Sequence, residues 1–270
     1  MTKFCCGKRK RLLHLIHFVY HPCLFFYHSG IPKEEVISVK WKNNLAGQPV
    51  WSGEISNRDR KEKVAQQVSR YVKDGDVIGI GSGSTSFLAL EKIAERVEKE
   101  KLEILAVPTS KEAEMNCSYY GLTTTSLLNH QPDWGFDGAD EVDGAQRLIK
   151  GRGGALFAEK LVMASAAKTY ILVDESKHVE RLGEKFAVPL EVDPRAIHLV
   201  ETALQHFECH DIQLRMAAAK DGPVLTEAGN VLIDVRFHDI HDTLEKELSA
   251  IPGVIETGLF IGYSVEILTV

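Results

Sequence analysis

The sequence predicts an α/β protein: a doubly wound, mainly parallel sheet, with a smaller α+β domain inserted before its last strand. Three observations carry this prediction. From residue 58 onward, short apolar runs alternate with longer stretches of helical period. A glycine-rich turn at 79–85 joins the first apolar run to the first long helix. After residue 185 the order changes to strand, helix, strand, strand, helix, strand, a set that can close on itself.

Taken in order, residues 60–72 read as a helix, 76–80 as a strand, 84–101 as a helix and 103–107 as a strand. A helix at 111–120, extended segments at 123–127 and 134–137, a helix at 155–168 and an apolar strand at 170–173 continue the series. Such βαβ repetition places helices on both faces of a sheet and gathers ligands at the carboxyl ends of its strands. The second unit reads as strand 187–192, helix 194–209, strands 212–219 and 231–237, helix 240–250 and strand 254–258. Asp193 is a cap for that first helix and Pro194 suits its first turn, while Ala228-Gly229-Asn230 lies between the middle strands. A last strand, 259–268, is expected to return to the main sheet. The larger domain therefore comprises 58–185 with 259–270, and the smaller one 186–258.

Residues 1–57 read as an irregular leader, disordered or targeting. Residues 1–50 hold eight Lys/Arg against Glu34 and Glu35, a surplus of six, so a chain of net charge -6 has a body near -12. An acidic body argues against a nucleic-acid surface. Lys8-Arg9-Lys10-Arg11 followed by apolar residues resembles a signal peptide, but His14, His17, His21 and Pro22 interrupt the run and no small-x-small site follows. A transit peptide is the other targeting option, and serine is scarce for one. The same interruptions leave no run near the roughly 18 apolar residues of a membrane span. His14, His17 and His21 share a helical face near Cys23, without the tight pairing of a zinc site. Five cysteines, an odd count, suit a reducing compartment. Because every motif lies beyond residue 58, a chain beginning near Ser56 is expected to fold and act normally.

The chemistry concentrates in four places. Gly81, Ser82, Gly83, Ser84 and Thr85 close a strand and open a helix, where free amides and the positive helix end favour an anion. Dinucleotide binding would ask for glycine at 84 or 86, where serines stand, and for an acid at the end of 103–107, which runs into Pro108-Thr109. A small sugar phosphate fits better. Asp137, Gly138, Ala139, Asp140, Glu141, Val142 and Asp143 crowd four carboxylates after a strand end, without the every-second-residue alternation of a calcium loop. They suit sugar hydroxyls and proton handling. Lys150, Gly151, Arg152, Gly153 and Gly154 supply a cation and backbone donors ahead of a helix in which Glu159 shares a face with Ala155, Met163 and Ala166. A carboxylate on an apolar face has its pKa raised, as a base working near neutrality requires. Lys177, in Asp174-Glu175-Ser176-Lys177, is a further cation at a strand end.

This ordered set, GSGST at 81–85, DGADEVD at 137–143, KGRGGAL at 150–156 with Glu159, and DESK at 174–177, resembles the type A ribose-5-phosphate isomerase family over residues 58–270. Arg152 interrupts what is an unbroken glycine run in some members. The resemblance implies a Rossmann-like domain with a ferredoxin-like second domain, a homodimer or homotetramer in the cytoplasm, or in an organelle if the leader is a transit peptide. It also implies a pentose phosphate substrate, no cofactor and no metal, and an enediolate mechanism. Carried over by position, Ser82, Gly83, Ser84 and Thr85 hold substrate with Lys61, and Asp137, Gly138, Ala139 and Asp140 meet the sugar. Lys150, Gly151, Arg152, Gly153 and Lys177 complete the site, and Glu159 is the base. A non-catalytic sugar-phosphate sensor and a hydrolase or transferase with the same phosphate loop are the rival readings. A sensor should lack the base.

Overall fold

The computed structural model describes Pro49, Trp51 and residues 54–270. The leader's basic run and its histidines lie outside the described residues. The chain runs through α1 (Arg58–Ser69), β1 (Val77–Ile80), α2 (Ser84–Glu100), β2 (Leu105–Pro108), α3 (Lys111–Tyr119), β3 (Thr123–Thr124) and β4 (Trp134–Asp137). It continues through β5 (Glu141–Val142), β6 (Leu148–Ile149), α4 (Leu156–Ser165) and β7 (Thr169–Val173). The later part holds β8 (Val188–Val192), α5 (Ile197–Leu204), β9 (Cys209–Leu214), β10 (Val231–Phe237), α6 (Leu244–Ser249), β11 (Val254–Thr257), β12 (Leu259–Phe260) and β13 (Val265–Thr269).

Six strands form a parallel sheet in the order β13-β7-β4-β1-β2-β3. The chain leaves β1 toward β2 and β3, then crosses back to β4, so the order reverses between β1 and β4. A crevice opens at the carboxyl ends of strands at such a point. Alternation along β7 divides the faces: Leu172 joins the core made with α1, α2 and α3, while Ile171 and Val173 join Met163 of α4 and Phe260. Helix α4 packs closely on β1 because Gly79 has no side chain; a Cβ there would lie 2.4 Å from Val162 Cγ1.

The smaller sheet has the order β11-β8-β10-β9 and is antiparallel throughout. Numbered within this unit, that is 4-1-3-2, the ferredoxin-like arrangement expected of a βαββαβ chain. Its core of Val188, Leu190, Val192, Val200, Leu204, Val235 and Leu244 also takes in Ile149 and Leu259, which ties it to the third sheet, β12-β6-β5. All described residues fall in a single compact unit.

Three expectations change, and two short strands are added. The last strand is two: β12 pairs antiparallel with β6, a turn through Gly262 follows, and only β13 reaches β7. The strands β5 and β6 inside the acidic segment have two residues each, too few to show alternation in the sequence. The helix expected at 194–209 is a single 3-10 turn capped by Asp193, followed by α5, and Cys209 already begins β9. The leader does not extend to residue 57: Ile55 is buried in the main core and Trp51 stacks on Phe87 of α2 at 5.5 Å.

Candidate active site

The loops after β1 and β4 meet at the reversal point, and with them stand the 150–153 loop, α4 and the end of β7. Together they line a cavity of about 570 Å³. Every residue that the family resemblance carries over to the site lies on its wall: Lys61, Ser82, Gly83, Ser84, Thr85, Asp137, Gly138, Ala139, Asp140, Lys150, Gly151, Arg152, Gly153, Glu159 and Lys177.

At one end three buried charges meet. The Lys150 ammonium lies 3.0 Å from Asp137 Oδ2 and 3.3 Å from Glu159 Oε2, and donates to the Gly138 carbonyl at 2.6 Å. Burial alone would lower the Lys150 pKa, but the carboxylates of Asp137 and Glu159 outweigh it and hold the ammonium charged. Burial first, and repulsion from Asp137 second, push Glu159 up to about 8 against the pull of Lys150. Glu159 Oε2 makes no hydrogen bond among the described residues, since Lys150 is near it without hydrogen-bond geometry. A buried carboxylate oxygen with unused acceptor capacity is costly to keep and is suited to receiving a proton.

Asp137 is fully engaged. Its Oδ1 accepts from the amides of Gly138 at 2.7 Å and Ser82 at 3.2 Å and from Ser86 Oγ at 3.3 Å. Gly81 permits this, because a Cβ would lie 2.4 Å from Asp137 Cγ. Asp140 by contrast accepts, among the described residues, only from the Arg152 amide, at 3.1 Å on Oδ2. The other two acids of the crowded segment do not reach the cavity. Glu141 is fully buried and accepts from the amides of Gly183, Lys185 and Phe186, each at 2.6 Å. Asp143 caps the amides of Ala145 and Arg147 and pairs with the Arg147 guanidinium. Two of the four carboxylates thus hold the backbone in place, and only Asp137 and Asp140 of the four line the cavity.

At the other end stand Lys61, Arg152 and Lys177. Lys61 Nζ donates to Ser84 Oγ at 2.9 Å and Ser56 Oγ at 3.4 Å, and burial lowers its pKa, with Asp174 opposing and Lys177 and Arg152 adding to the fall. Lys177 and Arg152 flank the Phe186 ring at 5.1 and 5.8 Å. Into the same cavity α2 presents its amino terminus, with Gly83 at φ 87° before it. Ser82 Oγ is turned toward Thr109 Oγ1 and Ser110 Oγ, at 2.8 and 2.7 Å, so it ties this loop to the one after β2. Amides, a helix end and three cations form a receptor for a phosphate dianion.

Among the described residues no group of three or more His, Cys, Asp or Glu is arranged to hold a metal ion, and no helix is long and apolar enough to cross a membrane. Residues 105–269 match the family model described as ribose 5-phosphate isomerase A (phosphoriboisomerase A), more than half of the chain. The chain belongs to this family. The ribose-5-phosphate isomerase A of Methanocaldococcus jannaschii is 44% identical over 209 residues, covering 76% of this chain and 92% of the relative. That of Thermococcus kodakarensis is 41% identical over 206 residues, covering 75% of this chain and 90% of the relative. The solved M. jannaschii structure superimposes with a TM-score of 0.76, covering 79% of this chain and 95% of the other. A D-ribose-5-phosphate isomerase in complex with phospho-erythronic acid is 38% identical with a TM-score of 0.75, covering 78% of this chain and 95% of the other.

The family motifs do not include the wall formed by Trp51, Glu54, Ile55, Ser56 and Asn57. Asn57 Nδ2 reaches Asp174 Oδ2 at 3.5 Å, which joins this segment to the Lys177 turn. The sequence holds only a faint signal for it, an apolar pair four residues apart, Trp51 and Ile55, just before the helical period of α1.

Proposed function

We propose that this chain interconverts D-ribose 5-phosphate and D-ribulose 5-phosphate, with Glu159 carrying one proton between C2 and C1 through an enediolate. The observation that supports it is a buried carboxylate with an open lone pair, 3.3 Å from a buried ammonium, in the wall of a cavity that also holds a phosphate receptor. A sensor of sugar phosphates has no use for such a group.

The substrate phosphate is held by Lys61, Arg152, Lys177 and the amino end of α2, which directs C1 and C2 of the open-chain aldose toward Glu159. Glu159 takes the C2 proton; the C–H electrons form the C1–C2 double bond and the carbonyl π electrons move to O1. Lys150 and the Gly153 amide stabilise the enediolate oxygens. Asp140 has one carboxylate oxygen unused by the described residues, so it moves the hydroxyl proton from O2 to O1 while Asp137 keeps Lys150 in place. Glu159 then returns its proton to C1 and the ketose forms. Each step is served by a side chain of the cavity. The family resemblance extends the proposal to a homodimer or homotetramer in the cytoplasm.

A coupled assay with ribose 5-phosphate tests it. The parent protein turns substrate over, and Glu159→Gln binds it but loses about two or more powers of ten in kcat. Near-parent turnover by that variant would falsify the assignment of Glu159.

A further inference from the structure

The loop that supplies Lys150 and its amides is held from the smaller domain. Arg215, just after β9, donates from Nη1 to the carbonyl oxygens of both Gly151 and Arg152, each at 3.0 Å. Its own orientation is fixed by a fork onto Asp234 of β10, Nε to Oδ2 at 2.7 Å and Nη2 to Oδ1. Only a guanidinium can make these four contacts at once, because its donors are rigidly spread in one plane.

The peptide bond relates this clamp to the cavity. In a trans peptide the C=O and the following N–H point in opposite directions. With the Gly151 carbonyl turned to Arg215, the Arg152 amide is turned away from it, and it meets Asp140 Oδ2 at 3.1 Å. With the Arg152 carbonyl also turned to Arg215, the Gly153 amide is likewise turned away from it and has no hydrogen-bond partner among the described residues. Gly151, at φ 103°, lets the chain make this bend. Both Asp140 and Gly153 line the substrate cavity.

We infer that Arg215, held by Asp234, is a positioning residue for the isomerisation: it sets the 151–153 peptides so that one amide fixes Asp140 and the next faces the developing oxyanion. This rests on the reading of the cavity given above. Arg215 touches no substrate and acts through the peptides it holds.

A second cavity, of about 510 Å³, has Arg215, Asp234, Gln213 and Arg236 in its wall. Truncation of Arg215 therefore opens a space that a small guanidinium ion can enter from solvent. Arg215→Ala is expected to lower kcat about ten- to hundredfold, the usual penalty for misplacing a reacting group by about 1 Å, with KM for ribose 5-phosphate changed less than about threefold. Affinity for phospho-erythronate, whose carboxylate imitates the enediolate, should fall in step with kcat/KM. Added guanidinium or methylguanidinium at sub-denaturing concentration should restore kcat with a saturating dependence, which recovery of a merely destabilised fold would not show. Arg215→Lys keeps charge but cannot reach two carbonyls and a carboxylate together, and should lose kcat while keeping the parent's melting temperature. It decides the matter if Arg215→Ala fails to fold. Parent-like kcat and phospho-erythronate affinity in folded Arg215→Lys and Arg215→Ala would overturn the inference. A parent protein without isomerase activity would instead overturn the reading of the cavity.

Discussion

The two ends of the cavity keep their charges differently. At the buried end, Lys150 is 3% exposed and has two carboxylates within 3.3 Å. At the cation end, Lys61 leans only on hydroxyls, and neither it nor Arg152 nor Lys177 has a carboxylate within ion-pair distance among the described residues. The first end is a closed set of charges whose mutual field adjusts a proton-transfer group. The second is an open set that gains its counter-charge when a phosphate arrives. Removing a charge should therefore damage turnover at one end and binding at the other.

The buried end should give the largest effect. Lys150→Ala leaves Asp137 and Glu159 facing each other without their cation, and a buried charge stripped of its partner costs about 3–5 kcal/mol. We expect a loss of about three powers of ten in kcat, together with a lowered melting temperature. If kcat survives and KM alone rises, Lys150 belongs with the phosphate cations and the comparison fails.

At the cation end, Lys61→Ala and Lys177→Ala should each raise KM about ten- to hundredfold, the worth of one charge-assisted hydrogen bond of about 1.5–3 kcal/mol, with a smaller change in kcat. Inorganic phosphate, as a competitive inhibitor, should weaken in parallel. A loss confined to kcat in these variants would merge the two ends into one.

Next in size is the wall in front of α1. Removing residues through Ile55 takes away a buried isoleucine and the Trp51–Phe87 stack, and should destabilise the protein by about 2–5 kcal/mol, read as a lower denaturation midpoint. The sequence alone leads to the opposite expectation, an unaffected protein starting near Ser56. An unchanged midpoint would return these residues to the leader.

The smallest effect concerns pH. Glu159 has a folded-state pKa raised to about 8, chiefly by burial, so the native state prefers its neutral form. The stability this gives is fully present below the ordinary glutamate range and is lost as pH rises through the raised value. Glu159→Gln, which cannot ionise, should therefore gain in melting temperature over the parent as pH goes from 6 to 9. The parent's kcat/KM should climb over the same interval as the base ionises. A difference in melting temperature that is flat with pH would place Glu159 among ordinary surface carboxylates.

What the sequence disclosed follows from the kind of signal each part leaves. The parallel sheet was legible because its strands, such as β1 and β7, are apolar runs between strongly periodic helices. The βαββαβ succession of the smaller domain was legible in the order of its elements, and the family resemblance implied its ferredoxin-like arrangement. The two-residue strands β5 and β6 were not legible, since no period can be read in so short a stretch. The site loops were visible because glycine, serine and carboxylate at strand ends carry a physical meaning. The division of labour among the four acids was not: Glu141 and Asp140 are neighbours in the chain, and only the fold turns one toward buried amides and the other toward the cavity. Arg215 was invisible for the same reason, as its partners lie 63 and 64 residues away.

The central claim is that Glu159 moves the proton between C2 and C1, and the fate of a deuterium at C2 of ribose 5-phosphate tests it most directly. Followed by proton NMR, the parent protein should strip the C2 label at the rate at which product forms, delivering it to C1 or to water. Glu159→Gln, folded and still binding phospho-erythronate, should leave the label in place over the same time. Loss of the C2 label at equal rates in both proteins would contradict the account.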